Sequence, residues 1–267
     1  ETGIRGTIPS SIGHTKLVRL HAHNTLLSGT IPELPGSIEK LYLYDTLLSG
    51  TLPASTRQMG MLESLLFYNT RISGNLTHIQ HLSSVTILMF YGTNIEGTIP
   101  ETLGSMVSLT TILGYSTALS GTIPASLFHV PALHFVGLQQ TKLSGSLPDP
   151  SGATELQELN VCDTHITGTL PVALGQLAHL QRVYLQNLQL DGAVPDLSNC
   201  TELDTLSLTN TTLKVFPRGL PANLTHLFLD NNPIKATTAS LCAHEFPNLE
   251  QIAVSFVNVP ILLGYLD

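Results

Sequence analysis

Apolar positions along this chain recur in a compound phrase that is neither a plain helical nor a plain strand period. In its clearest instance Leu156, Leu159 and Val161 are followed by Ile166 and Leu170, with polar residues between them. The alternation Leu159-x-Val161 predicts a short strand that sends two side chains inward at period two. Leu156, Ile166 and Leu170 then fill the same core from the other sides of one coil. A second phrase, Ser-Gly-Thr-Ile-Pro, punctuates each coil, with its glycine at Gly6, Gly29, Gly50, Gly74, Gly97, Gly121, Gly145, Gly168 and Gly192. Successive glycines stand 21 to 24 residues apart, and eight of the nine are followed three residues on by proline, Thr77 being the exception.

A unit of this length cannot bury its own core, but stacked units can. The stack predicts a parallel sheet on a concave face and 3₁₀ or irregular turns on the convex face. Thr25, Thr46, Thr70, Thr93, Thr117, Thr141, Thr164 and Thr211 mark the turn after each strand, with Leu188 and Asn232 as departures. Their hydroxyls are expected to satisfy amides of neighbouring coils. Glycine allows positive φ after the turn, and proline fixes the next bend. Counting turn positions through Val257 gives eleven strands, a sheet of roughly 50 Å at about 4.8 Å per strand. Ile4 to Pro9 has the pattern of the tail of a further coil, so the natural protein is expected to extend upstream of Ile4. Glu1-Thr2-Gly3 is set aside as a vector remnant left after signal cleavage. Residues 4–199 form the regular repeats, and 200–267 form irregular closing repeats in the same solenoid, with Val259 to Leu266 as a cap.

The Leu-x-x-Leu-x-Leu spacing joined to Leu-Ser-Gly-Thr-Ile-Pro resembles the plant-type leucine-rich repeat of extracellular receptor and inhibitor ectodomains, over residues 4 to about 217. The resemblance implies an α/β-type repeat solenoid, a horseshoe whose concave parallel sheet binds a protein or peptide. Those ectodomains begin with a paired-cysteine cap and carry Asn in the turn column, whereas this chain lacks the cap and uses Thr. In its Thr column it looks more like the surface repeat proteins of kinetoplastid parasites, the promastigote surface antigen type. It lacks the Trp that such repeats place after the proline.

Composition narrows the function. With 11 basic against 19 acidic residues the formal charge is −8, which removes the electrostatic basis for nucleic-acid or anionic-membrane binding. No apolar run nears the roughly 18 residues of a spanning helix. Enzyme motifs are missing: the sequence has no phosphate loop, His-Glu-x-x-His, Cys-x-x-Cys or Gly-x-Ser-x-Gly elbow. No cofactor is expected. Sequons at Asn75, Asn199, Asn210 and Asn223 favour a secreted glycoprotein.

Outward strand positions supply the candidate site. Two residues before each turn stand His23, Tyr44, Tyr68, Tyr91 and Tyr115, and two earlier stand His21, Tyr42, Leu66, Met89 and Leu113. With Ile87 and Phe135 from a third column headed by Arg19 and Lys40, these form one expected patch on the N-terminal half of the sheet. Soluble proteins rarely leave such a surface bare, and Tyr and Met suit an adaptable protein interface. Simple cross-strand stacking, or coverage by self-association, remains open beside partner binding. His21 and His23 lack a third ligand, so no metal site is expected. His78 and His81 are expected on one convex helical face, and Glu158 with Arg182 as a surface ion pair. Cys162 is expected to point outward, either reactive or shielded. Cys200 and Cys242 stand two coils apart, about 10 Å, too far for a disulfide.

Overall fold

The computed structural model describes residues 3–234 and 248–253. Its principal sheet has eleven parallel strands in strict chain order, from Arg19–His21, Lys40–Tyr42, Ser64–Leu66, Ile87–Met89 and Thr111–Leu113 to Gln251–Ala253. Equivalent residues lie in register: Arg19 opposite Lys40, His21 opposite Tyr42, and Tyr42 opposite Leu66. Columns read from the sequence are therefore columns in space. Inward residues of these strands, among them Leu41, Leu65, Leu88, Ile112 and Leu159, are fully buried in one continuous core, with Leu156, Ile166 and Leu170 closing it as the spacing predicts.

A second parallel sheet of nine strands runs beside the first, from Arg5–Gly6 and Leu26–Thr30 to Gln189–Leu190. The sequence reading did not foresee it, although the Ser-Gly-Thr phrase builds it. Each serine hydroxyl donates to the preceding coil's glycine carbonyl, as Ser49 does to Gly29 at 3.4 Å and Ser73 to Gly50 at 3.2 Å. Each threonine methyl packs where the next coil's glycine has no side chain. A Cβ on Gly74 would stand 2.9 Å from Thr51 Cγ2, and Gly74 has φ +84°. All three residues are thus used by both neighbouring coils.

The bend that follows is capped by proline. Pro9, Pro53, Pro100, Pro124 and Pro171, with φ between −71° and −65°, precede 3₁₀ turns such as Ala54–Gln58 and Glu101–Ser105. Among the described residues every helical segment is of this tight type. Where Thr77 stands in place of proline, the Asn75 carboxamide takes over and accepts the Thr77 N–H at 3.1 Å.

The threonine column departs from expectation. Each hydroxyl donates to a carbonyl three residues back in its own coil, as Thr70 does to Phe67 at 2.7 Å and Thr93 to Phe90 at 2.6 Å. The bond stays within the coil, and among the described residues only at Thr211 does the hydroxyl also reach the next coil, donating to Asn232 Oδ1 at 3.1 Å. The residue ahead of it takes left-handed backbone in every coil from Asn24, Asp45 and Asn69 to Asn210 and Asn231. Asn, Asp and Gly supply most of these positions because short polar side chains and glycine tolerate positive φ. Side chains of this column join coils: Asn69 Nδ2 donates to Asp45 Oδ1 at 2.9 Å, and Asn210 Nδ2 to Asn187 Oδ1 at 2.9 Å.

Among the described residues the second sheet ends at Gln189–Leu190, while Thr205–Ser207 and His226–Phe228 belong to the principal sheet. The cap at Val259 to Leu266, Val257 and Cys242 lie outside the described residues.

Candidate functional site

The predicted tyrosine column is a stack of rings. Tyr44 and Tyr68 have centroids 4.5 Å apart and planes 11° apart, Tyr68 and Tyr91 4.4 Å and 12°, and Tyr91 and Tyr115 4.3 Å and 7°. His23 extends the pile over Tyr44 at 4.5 Å, and His21 lies on Tyr42 at 4.5 Å in the next column. In-register parallel strands about 4.8 Å apart put equivalent rings at contact distance without any change of rotamer.

Stacking changes what the face offers. Ring faces are spent on one another, and Tyr44, Tyr68, Tyr91 and Tyr115 are half-buried, presenting edges and hydroxyls. Tyr42, Leu66, Ile87, Met89, Leu113 and Phe135 are likewise half-buried, so the expected patch is continuous but not bare. His21 alone of the twelve candidate positions is exposed. Burial, followed by the neighbouring phenols Tyr115 and Tyr68, raises the Tyr91 pKa; burial and then Tyr44 raise that of Tyr68. Tyr68 and Tyr91 therefore stay neutral well into alkaline pH. Its apolar surface ends at Gly137, which is buried close under the Leu113 side chain. Gln139 and Gln186 continue the tyrosine column, each with a buried Oε1 that has no hydrogen-bond partner, as has His23 Nδ1 at the opposite end.

Other candidates are placed plainly. Cys162 sits in the outward column but is 4% exposed, and burial with the adjacent Asp163 pushes its pKa up to about 12, which removes the reactive-thiol option. Cys200 is buried, its pKa pushed up by burial to about 11. Glu158 and Arg182 form the expected ion pair at 2.8 Å. His78 Nδ1 lies 2.8 Å from the Leu52 carbonyl inside the Leu76–Ile79 turn, while His81 is exposed beyond that turn's end, so the two do not share a helical face. His21 and His23 centroids are 5.9 Å apart, each ring facing a tyrosine. Among the described residues no group of three potential metal ligands occurs. All four sequon asparagines are exposed and none lies in the outward strand columns. Missed altogether was the left-handed turn column; its signal was the run of Asn and Asp immediately before the threonines.

A Leucine Rich Repeat family model matches residues 155–177. The ectodomain of the plant membrane receptor kinase GASSHO1/SCHENGEN3 from Arabidopsis thaliana, solved with CASPARIAN STRIP INTEGRITY FACTOR 2, superposes with a TM-score of 0.87 at 27% identity over 96% of this chain. The fold is a leucine-rich repeat solenoid. A plant peptide hormone receptor, RGFR1 in complex with RGF2, superposes with a TM-score of 0.83 at 27% identity over 87% of this chain. This leucine-rich repeat chain spans 32% and 39% of the lengths of those two receptor chains. A plant ice-binding protein shares the fold alone, with a TM-score of 0.67 at 17% identity, over 94% of this chain and 80% of its own. No curated protein matches the sequence. No helix among the described residues is long and apolar enough to cross a membrane.

Proposed function

We propose that this leucine-rich repeat solenoid is the extracellular ligand-binding part of a cell-surface receptor or adhesin, and that it takes a protein or peptide on the N-terminal half of its concave sheet. The observation that carries the reading is the run of half-buried aromatic and aliphatic side chains from Tyr42 to Phe135, which no other described element covers. Leu66, Met89 and Leu113 give apolar contact, while the tyrosine edges give hydroxyls in a row fixed by stacking, so a partner meets a surface that is already ordered. The two receptors at 27% identity were solved in complex with CASPARIAN STRIP INTEGRITY FACTOR 2 and with RGF2, the second being a peptide hormone receptor, which supports the same use here. The threonine turn column is what favours a parasite surface protein over a plant receptor. Exposed sequons, Asn75 foremost, fit passage through a secretory pathway.

The test is a binding screen against extracellular proteins and peptides with three proteins side by side: wild type, a variant with Tyr44, Tyr68, Tyr91 and Tyr115 changed to Ser, and Leu66→Lys/Leu113→Lys. The third leaves the ring stack in place and keeps the test valid if the serine variant unfolds. Capture by wild type and loss in the lysine variant is the expected result. Equal capture by both moves the site to another face and overturns the reading. A concentration-dependent dimer that the lysine variant abolishes would favour a self-associating coat protein instead, and capture of a secreted hydrolase would favour an inhibitor.

A further inference from the structure

The second sheet carries a row of side chains that repeats from coil to coil more closely than any other on the surface. The position after each phrase glycine holds Thr7, Thr30, Thr51, Asn75, Thr98, Thr122, Ser146 and Thr169, all exposed and none charged over eight successive coils. At the six threonines the methyl is the atom nearest the next coil's glycine, where a Cβ would stand 2.8 to 3.4 Å from Cγ2. Threonine has a chiral Cβ and a stiff χ1, so a methyl held against glycine also fixes the direction of the hydroxyl. The backbone repeats as closely, with φ between +77° and +88° at the phrase glycines from Gly29 to Gly192. Six hydroxyls therefore point the same way, neighbours standing at the strand spacing of about 4.8 Å. Parallel pairing sets a serine column on the same face, Thr30 opposite Ser49, Thr51 opposite Ser73 and Thr122 opposite Ser144. Glu96 is the one charge in that column between Ser28 and Thr167.

We infer that this row binds ice, its hydroxyls hydrogen-bonding to the outermost oxygens of the lattice, one contact per coil. Packing on glycine uses only the threonine methyls, and a surface that is merely soluble needs no common rotamer. An uncharged, oriented hydroxyl repeated at one spacing fits a ligand that itself repeats, and the oxygens along an ice surface recur at nearly the strand spacing. A folded protein partner has no such translation, and a charged polymer would find no counter-charge in the row. Each contact is weak alone, but contacts fixed on one rigid scaffold add without a fresh ordering cost. The row lies on a different sheet from Tyr44 and Leu66, so this site stands or falls independently of the concave-face reading.

The test measures partition of the protein into slowly growing ice and the shape of single ice crystals grown in its presence. The proteins compared are wild type, Thr51→Lys/Thr98→Lys, Ser146→Lys/Thr169→Lys and Met61→Lys/Val107→Lys, after matching circular dichroism and melting. All are made without glycans, because a sugar on the Asn75 sequon would stand on the row. Ser146 and Thr169 lie no closer than 3.4 Å to a Cβ built on the facing glycines, so the second pair keeps the test valid if the first unfolds. Met61 and Val107 are exposed apolar residues off the row, and their variant adds the same charge elsewhere. Wild type and Met61→Lys/Val107→Lys should enter the ice and facet the crystals. Both row variants should be excluded from ice as serum albumin is, and leave the crystals as unfaceted discs. Exclusion of wild type overturns the inference, and so does entry of the folded row variants. Retention of wild type on crystalline cellulose or chitin without entry into ice, lost in the row variants, overturns it in favour of a crystalline polysaccharide.

Discussion

Asn232 reaches back one coil to Thr211: its Oδ1 accepts the Thr211 backbone N–H at 2.9 Å and the Thr211 hydroxyl at 3.1 Å. The same carboxamide accepts the Leu213 N–H at 3.0 Å and donates to the carbonyls of Leu208 at 2.6 Å and Leu229 at 3.0 Å. One buried asparagine thus satisfies groups of two coils. A threonine at the same position, such as Thr70, ties only its own Phe67 carbonyl and the Ile72 N–H. Removing a partner from a buried polar group costs about 1–3 kcal/mol. Asn232→Ala should therefore destabilise by more than 3 kcal/mol and Thr70→Val by about 1–2 kcal/mol, read as urea midpoints. Equal losses would mean that the coils near Asn232 are held by packing and not by its amide.

Glycine substitutions separate two costs in the second sheet. Gly74 and Gly97 have nearly the same backbone, φ +84° and +81°, but an added Cβ would stand 2.9 Å from Thr51 Cγ2 at Gly74 and 3.5 Å from Asn75 Cβ at Gly97. Left-handed strain applies to both and is worth about 1–2 kcal/mol for alanine. Overlap with the threonine methyl applies at Gly74 alone. Gly74→Ala should therefore melt below Gly97→Ala, and Gly74→Ala combined with Thr51→Ser should recover most of the difference. If the double variant recovers nothing, the packing account of the Ser-Gly-Thr phrase is wrong.

How much of this was legible follows from range. Leu159, Val161, Ile166 and Leu170 announce their burial because each acts within one coil and the coil repeats. The tyrosine column was equally legible, since register follows from equal coil lengths. What stayed hidden depends on pairs of coils seen together: the Ser49 hydroxyl on the Gly29 carbonyl, the Thr51 methyl over Gly74, and the Asn69 amide on Asp45. The half-burial of Tyr68 and Tyr91 was missed for the same reason. The strand spacing left ring stacking open as one reading, but how far each ring is covered depends on side-chain orientation in adjacent coils.

Cysteine accessibility gives a direct check on the concave sheet. Cys162 and Cys200 are 4% and 0% exposed, and burial raises both thiol pKa values, to about 12 and about 11. The thiolate is the nucleophile, so neither should react with iodoacetamide at pH 8 in the folded protein, and both should react in urea. Intact mass before and after unfolding reads the difference. Rapid native labelling of Cys162 would show that Asp163 and its neighbours do not cover it.

Alkaline titration tests the ring stack itself. Burial raises the Tyr91 and Tyr68 pKa values above that of a free phenol, so the folded chain holds these protons at a pH where the unfolded chain has released them. Their contribution to stability is fully present below about pH 10, the pKa of a free tyrosine, and is lost as pH rises through the folded values. Urea midpoints should therefore fall steeply above about pH 10. Tyr91→Phe keeps the ring between Tyr68 and Tyr115 but has no proton to lose, so its midpoint should fall less steeply. Tyr91→Ser breaks two stacked pairs at about 0.5–1.5 kcal/mol each beyond lost burial, and should be weaker than Tyr91→Phe at pH 7. Identical alkaline slopes for wild type and Tyr91→Phe would show that the hydroxyl edge of the stack is open to water, and the concave face would then offer a partner hydrated phenols instead of a dry ordered row.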